Sequence, residues 1–267
     1  KTMTDIILCG ACGRMGRVIT ALAAESDSIR IAAGVDPVAA KGGISAACSD
    51  YPLYADISEV TETADVIVEF SHHSGIGDIL TYAVARSLPV VVCATGHTDD
   101  ELAAIAAASE KIAVFKSGNM SLGINLLCEL VRRAARALGE DFDIEILERH
   151  HNKKLDAPSG TALMLADAAR EGRDSDCDYV YERRSRRAPR EKSEIGISAM
   201  RGGNIVGMHD VMFAGQDETL TLSHTAQSRD VFARGALRAA SFMHGKPAGR
   251  YDMSDVIKGD AGDALLS

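Results

Sequence analysis

The sequence predicts an α/β protein with an N-terminal Rossmann-type doubly wound parallel sheet, followed by a second α+β domain built on a mixed or antiparallel sheet. Four short apolar runs, Ile6–Cys9, Ile29–Val35, Asp65–Phe70 and Leu88–Cys93, are separated by stretches of helix formers, notably Val18–Ala24, Gly77–Ala85 and Asp99–Ala108. The runs are continuously apolar rather than alternating, as strands covered by helices on both faces require. Beyond Lys116 the pattern changes. Leu122–Leu138 reads as one long helix and Phe142–Leu147 as a strand with Ile144 and Ile146 inward. Three further strands are expected at Ile195–Met200, Ile205–Phe213 and Thr219–Thr225, with Gly202-Gly203 as the turn joining the first two.

Between these elements, Glu171–Lys192 is polar, carries Arg183, Arg184, Arg186, Arg187 and Arg190, and is expected to be an exposed excursion. Val231–Met243 is helical in pattern and is expected to pack back on the first domain. The domain expectation is therefore 1–121 with 231–267, and 122–230.

Composition narrows the class. A chain of 267 residues with 46% hydrophobic content can bury a sizeable core without staples. The formal charge of −9 leaves no overall basic footprint, so nucleic acid is not expected as the main partner. No apolar stretch reaches the ~20 residues needed to span a bilayer; Val84–Ala94 is broken by Arg86, Ser87 and Pro89. Asp5–Gly10 is too short for an export signal and feeds straight into glycines, so a cytoplasmic protein with no membrane partner is expected. Six cysteines are too sparse for a disulfide scaffold and suit a reducing compartment. Cys9-x-x-Cys12 has the spacing of a redox pair, but Cys9 ends a strand and Cys12 lies in a glycine turn. With no second cysteine pair or histidine cluster to complete a metal site, these read as small residues in a tight loop, and no metal is expected.

Gly10-Ala11-Cys12-Gly13-Arg14-Met15-Gly16 stands between an expected strand and an expected helix. Small residues there let the backbone turn sharply and approach a pyrophosphate, whose charge meets unpaired N–H groups at the helix start. The bland alternative is a turn with close helix packing. An acid at the end of the second strand favours a dinucleotide: Asp36 follows Gly16 by about twenty residues, where a carboxylate accepts hydrogen bonds from ribose hydroxyls. NADH is thereby favoured. Asp36-Pro37 also suits a simple strand-end turn. No arginine follows Asp36 to grip a 2′-phosphate, although Lys41 is near enough in sequence to compensate in part, so NADPH stays open.

The segment Glu145–Ala162 begins as a strand and ends as a helix, with His150, His151, Lys153 and Lys154 in the polar turn. Pro158-Ser159-Gly160-Thr161 precedes the helical pattern Ala162–Arg170, so Ser159 or a neighbour can cap a helix whose backbone N–H groups would accept a carboxylate. Cations opposite that terminus suit a substrate with two carboxylates. Solvated His and Lys before a helix are also common, and the paired histidines show no familiar ligand spacing.

The ungapped pattern E-x-H-H-x-x-K-x-D-A-P-S-G-T-A, from Glu148 to Ala162, resembles the signature of the 4-hydroxy-tetrahydrodipicolinate (dihydrodipicolinate) reductase family. The resemblance extends through Gly10–Gly16, Glu69-Phe70-Ser71, Cys93-Ala94-Thr95-Gly96, Ser117-Gly118-Asn119-Met120-Ser121, Arg201–His209 and Ser223–Arg229, which covers nearly the whole chain. It implies an NAD(P)H-dependent reductase of a small cyclic dicarboxylate on the diaminopimelate route to lysine. It further implies a homotetramer joined through the second domain's sheets. His150 would be the acid/base and Lys154 the proton donor, with His151, Ser159, Gly160 and Thr161 around the substrate carboxylates. The cofactor would lie over Gly10, Ala11, Cys12, Gly13, Arg14 and Met15, with Asp36 at its ribose. Cys93, Ala94, Thr95, Gly118, Asn119, Met120 and Ser121 would surround its nicotinamide half, with Arg229 at the domain hinge. Residues 1–121 and 231–267 would then bind dinucleotide, and 122–230 would bind substrate and join copies. Cys93-Ala94 departs from the family's Gly-Thr, Met120 from its usual Phe, and Asp36 lacks its common Arg partner, which leaves cofactor preference open. Another Rossmann-type dehydrogenase would share the glycine loop but need its own catalytic set, and a non-catalytic dinucleotide sensor would not need His150 and Lys154.

Overall fold

A computed structural model describes residues 3–41 and 50–261. Cys48 lies outside them, and so does the side chain of Lys41, whose expected help toward a 2′-phosphate falls there. The chain divides into two compact units, residues 1–120 with 230–267, and residues 121–229.

The first unit holds a seven-stranded sheet. Its strands are β1 (Thr4–Cys9), β2 (Ile29–Val35), β3 (Leu53–Tyr54), β4 (Val66–Glu69), β5 (Val90–Val92), β6 (Ala113–Lys116) and β12 (Gly249–Tyr251), in the order β12-β6-β5-β4-β1-β2-β3. Every pairing is parallel. The order reverses between β1 and β4, and such a switch point opens a crevice outside the carboxyl ends of the two strands. Helices α1 (Arg14–Ala24), α2 (Ile76–Arg86), α3 (Asp99–Ser109), α6 (Asp230–Met243) and α7 (Met253–Ala261) complete the unit.

Local sequence explains the element ends. Thr98 accepts the Glu101 N–H while Glu101 returns to the Thr98 N–H, a capping box that starts α3. Ser87 takes a left-handed conformation (φ 55°) to end α2. Ile7, Ile67, Val90 and Val114 are wholly or almost wholly buried against Ile76, Leu80 and Ile105, and each such side chain contributes about 1.5–3 kcal/mol of hydrophobic stabilisation. Helix α6 packs on α1 and on β1, β4, β5 and β6, and buries Ala233, Gly235, Ala236, Ala239 and Ala240. Small residues are required there: a Cβ on Gly235 would overlap the Met120 carbonyl.

The second unit holds the expected mixed sheet, of five strands. They are β7 (Asp143–His150), β8 (Asp178–Val180), β9 (Glu194–Arg201), β10 (Gly207–Ala214) and β11 (Thr219–Ala226), in the order β11-β10-β7-β9-β8. β10 is antiparallel to β7 and β11, while β9 is parallel to β7 and β8. Along β7 burial alternates: Ile144, Ile146, Glu148 and His150 are buried, and Asp143, Glu145, Leu147 and Arg149 are partly open. The buried side packs on α4 (Leu122–Leu138) and α5 (Gly160–Arg173), which meet so closely that a Cβ on Gly172 would overlap the Arg132 carbonyl. The polar segment after α5 is only in part the loose excursion expected. It contributes β8, and Arg183 reaches Glu145 at 2.7 Å and Glu194 at 2.6 Å on the sheet's other face. Arg186 also binds Glu194, at 2.7 Å.

Candidate active site

In the first unit, the turn after β1 carries the glycine loop. Gly10 adopts φ +80°, and a Cβ there would stand 2.7 Å from the Phe70 carbonyl oxygen in the turn after β4. A Cβ on Gly16 would overlap the carbonyls of Gly10 and Ala11. Glycine is therefore required at both positions by sterics of this unit alone. Helix α1 begins at Gly13 with no side chain capping it, so its positive end is left for a ligand's anion. Ala11 is buried, whereas Gly13 and Arg14 are exposed and Cys12 and Met15 partly so.

Asp36, at the end of β2, is nearly buried. Its carboxylate accepts the Cys12 N–H at 3.0 Å and the Val38 N–H at 3.1 Å. It is thus both the strand-end turn acid and a brace for the glycine loop, with further lone pairs for ribose hydroxyls. Gly10, Gly13, Asp36, Pro37, Phe70 and Ser71 line a cavity of about 600 Å³ at the switch point. A second cavity of about 240 Å³ is walled by Met15, Phe70, Cys93 and Thr95, together with Gly118, Asn119 and Met120. A glycine cradle that a Cβ would fill, an uncapped helix start and an acid at the strand end fit a nicotinamide dinucleotide.

Glu69 fixes the loops of the second cavity. It is fully buried at the end of β4 and accepts from the Ser71 N–H at 2.7 Å, the Ser71 hydroxyl at 2.8 Å and the Ala94 N–H at 3.1 Å. Burial pushes its pKa up, and these hydrogen bonds oppose that only in part. Cys9 is buried beneath, and burial followed by the charge of Glu69 pushes its thiol well up, so it is not a reactive thiolate.

In the second unit, β7 delivers Glu148 and His150 to the buried side. Glu148 is fully buried, and His150 Nδ1 lies 2.6 Å from its Oε2. Arg201, paired with His150 in the β7–β9 register, donates to both Glu148 oxygens at 2.7 and 2.8 Å. The Ser159 N–H adds a bond at 3.0 Å. Burial alone would raise the Glu148 pKa, but bonds from Arg201, His150 and Ser159 outweigh it and hold the carboxyl below its usual range.

The Ser159 hydroxyl is committed elsewhere. It caps α5 at Ala162 and lies 3.1 Å from His209 Nε2, while Ser159 itself is buried. Gly160 and Thr161 form the first turn of α5, and a Cβ on Gly160 would meet nothing within 4 Å. Lys154 pairs with Asp156 at 2.9 Å, which holds the Asp156 carboxyl low. Arg201 also donates to the Asp156 carbonyl at 2.6 Å, tying down the same turn. His151 Nε2 lies 3.4 Å from an Arg229 nitrogen. Its pKa is lowered by desolvation first, then by the charges of Arg229, His150, Lys154 and Arg201.

The structure therefore gathers His150, His151, Lys154, Ser159, Gly160, Thr161 and Arg229 within the second unit. Gly10 to Met15, Asp36, Cys93 to Thr95 and Gly118 to Met120 lie in the first. Ser121 begins the second unit, where its buried side chain caps α4. Sequence reasoning did not assign roles to Glu148, Arg201, His209 or Glu69. The signal for Arg201 is the β7–β9 register, which a single sequence does not carry. Among the described residues, no group of three or more His, Cys, Asp or Glu could hold a metal ion, and no helix is long and apolar enough to cross a membrane.

A parallel sheet with this strand order, a glycine cradle at its switch point and a second unit bearing a cationic cluster define a dinucleotide-dependent oxidoreductase. Family models described as "Dihydrodipicolinate reductase, N-terminus" and "Dihydrodipicolinate reductase, C-terminus" match residues 4–120 and 123–257. A 4-hydroxy-tetrahydrodipicolinate reductase from Caldanaerobacter subterraneus subsp. tengcongensis is 48% identical over 256 residues, covering 96% of this chain and 99% of that one. The Clostridium tetani protein of the same name is 45% identical, covering 96% and 97%. A solved dipicolinate-bound dihydrodipicolinate reductase from Paenisporosarcina sp. TG-14 shares the fold at a TM-score of 0.75, with 21% identity over 94% of this chain and 98% of that one. The chain belongs to the dihydrodipicolinate reductase family.

Proposed function

We propose that the chain reduces 4-hydroxy-tetrahydrodipicolinate, or its dehydrated form dihydrodipicolinate, to tetrahydrodipicolinate in the diaminopimelate route to lysine. The observation that carries this reading is that Arg229 stands 3.4 Å from His151, with Lys154 in the same turn, within the unit that also exposes the start of α5. Such a cationic field suits a ring with two carboxylates. The relatives' names supply the ring's identity.

A nicotinamide dinucleotide, when bound over the glycine loop, supplies the hydride. The chain's own residues do the rest. His151 and the first turn of α5, at Gly160 and Thr161, hold the carboxylates. The 4-hydroxy form first loses its hydroxyl as water to give the conjugated imine of the dehydrated ring; as hydride reaches that electron-poor system, negative charge develops on the ring. Lys154 donates a proton from Nζ and His150 serves as acid/base, so charge is quenched where it forms. Asp36 favours NADH, because its carboxylate meets ribose hydroxyls and repels a 2′-phosphate; dual use with NADPH is compatible with the rest of the loop. Residues 121–229 act as the substrate unit and join copies into a homotetramer. The open side of their sheet, where Met200 is 54% and Met212 36% exposed, is the surface for that assembly. Cytoplasmic placement follows from the pathway.

The test is to follow NADH oxidation when the product of the preceding synthase is supplied. Oxidation that depends on that product supports the reading. No oxidation with either NADH or NADPH, from a folded protein that binds dinucleotide, rejects it.

A further inference from the structure

A histidine used for proton exchange has two ring nitrogens, and the partner of one decides which is free to act. For His150 the surroundings differ sharply at the two. On the Nδ1 side, Glu148 Oε2 lies at 2.6 Å, and that carboxylate is fully buried. Both Glu148 oxygens take a bond from Arg201, at 2.7 and 2.8 Å, and Oε1 takes a third from the Ser159 N–H at 3.0 Å. The Arg201 charge keeps the carboxylate an acceptor, so the ring must donate to it from Nδ1. On the Nε2 side stands Gly207, the first residue of β10. A Cβ at that position would come within 3.1 Å of Nε2, tighter than ordinary contact. Nothing in the backbone conformation of Gly207 demands glycine, because its φ is not among the positive ones. The space is what glycine provides.

We propose that Glu148 is a positioning residue that fixes the His150 ring with its Nδ1 donating inward, and that Gly207 leaves Nε2 open as the nitrogen that exchanges the proton with substrate. Glu148 acts through His150 and does not itself take up a proton; its carboxyl is held low by Arg201, His150 and Ser159 against the effect of burial. The inference rests on the reading of His150 as the acid/base of the reductase.

The experiment is nitrogen NMR on the full chain with 15N-labelled histidine, at a pH where the rings are neutral, with the His150 resonances assigned by their loss in His150→Ala. The wild type should show Nδ1 protonated and Nε2 bare, and Glu148→Gln should show a mixture or the opposite tautomer. Glu148→Gln keeps the size and one acceptor but turns an amide NH2 toward the donors around it, so a lower unfolding midpoint is expected, with dinucleotide affinity of the folded protein unchanged and kcat reduced at least about tenfold. Glu148→Asp should recover part of that kcat, and Gly207→Ala should lower kcat while leaving the tautomer unchanged. A wild-type ring protonated at Nε2 would overturn the proposal, as would a folded Glu148→Gln protein with wild-type kcat. Because the tautomer is read on the resting protein, this result stands apart from the catalytic reading. An active His150→Ala variant would reject that reading whichever nitrogen carries the proton.

Discussion

Arg201 grips both oxygens of Glu148, at 2.7 and 2.8 Å, across a 52-residue gap in sequence that the β7–β9 pairing closes. The pair is asymmetric, since the Glu148 side chain is wholly buried and that of Arg201 is 20% exposed. Breaking such a pair from the arginine side strands a carboxylate without solvent. Arg201→Met should therefore cost on the order of 3 kcal/mol in urea unfolding. Arg201→Lys, which keeps the charge but not the fork, should cost less. Equal stability of Arg201→Met and wild type would mean that Glu148 finds another partner.

Asp36 braces the glycine loop through the Cys12 N–H, and a selectivity ratio tests the second task proposed for it. Loss of the brace should harm both cofactors alike, and loss of the proposed ribose acceptor should harm NADH more than NADPH. The ratio of kcat/KM for NADH to that for NADPH should fall about tenfold in Asp36→Ala, equivalent to roughly 1.4 kcal/mol of discrimination. An unchanged ratio would confine Asp36 to the turn.

Gly16 has no room for a side chain beside the carbonyls of Gly10 and Ala11. Gly16→Ala should reshape the loop, lower stability by about 1–3 kcal/mol and weaken dinucleotide binding in calorimetry by more than tenfold. Wild-type affinity in that variant would show that the loop does not hold the cofactor.

His209 links the site to acid stability. Burial, followed by the charge of His150, pushes its pKa down to about 4; Glu148 opposes this, and His224 and Lys154 add to it. The unfolded chain, with an ordinary histidine near 6.5, therefore binds the proton first. The neutral ring's contribution is complete above about pH 6.5 and is lost as pH falls toward 4, up to ~3 kcal/mol in all. His209→Asn removes that titration. Its unfolding free energy should drop less than that of wild type on going from pH 7 to pH 4.5, by about 2 kcal/mol. Parallel losses in the two proteins would place the acid sensitivity elsewhere.

What the sequence revealed follows from what each element depends on. Leu122–Leu138 and Asp230–Met243 were readable because a long amphipathic period is local information. The two-residue β3 and the three-residue β12 hold no continuous apolar run and were not, whereas β6, within the apolar Ile112–Phe115, carries the same kind of signal as β4 and β5 and was not assigned. β8 was hidden in an arginine-rich segment whose polarity reads as loop, although Arg183 and Arg186 spend their charge on buried Glu194. In the site, the glycine loop and the His150–Lys154 turn are contiguous and could be named directly. Arg201, His209 and Glu69 act through strand register and burial, which only the folded chain displays.

The most direct test is single-turnover reduction by His150→Ala and Lys154→Ala, with dinucleotide affinity measured in parallel. Rates at least ~100-fold below wild type are expected in both variants, with affinity changed by no more than about twofold. Wild-type rates in both would contradict the roles proposed for the two side chains.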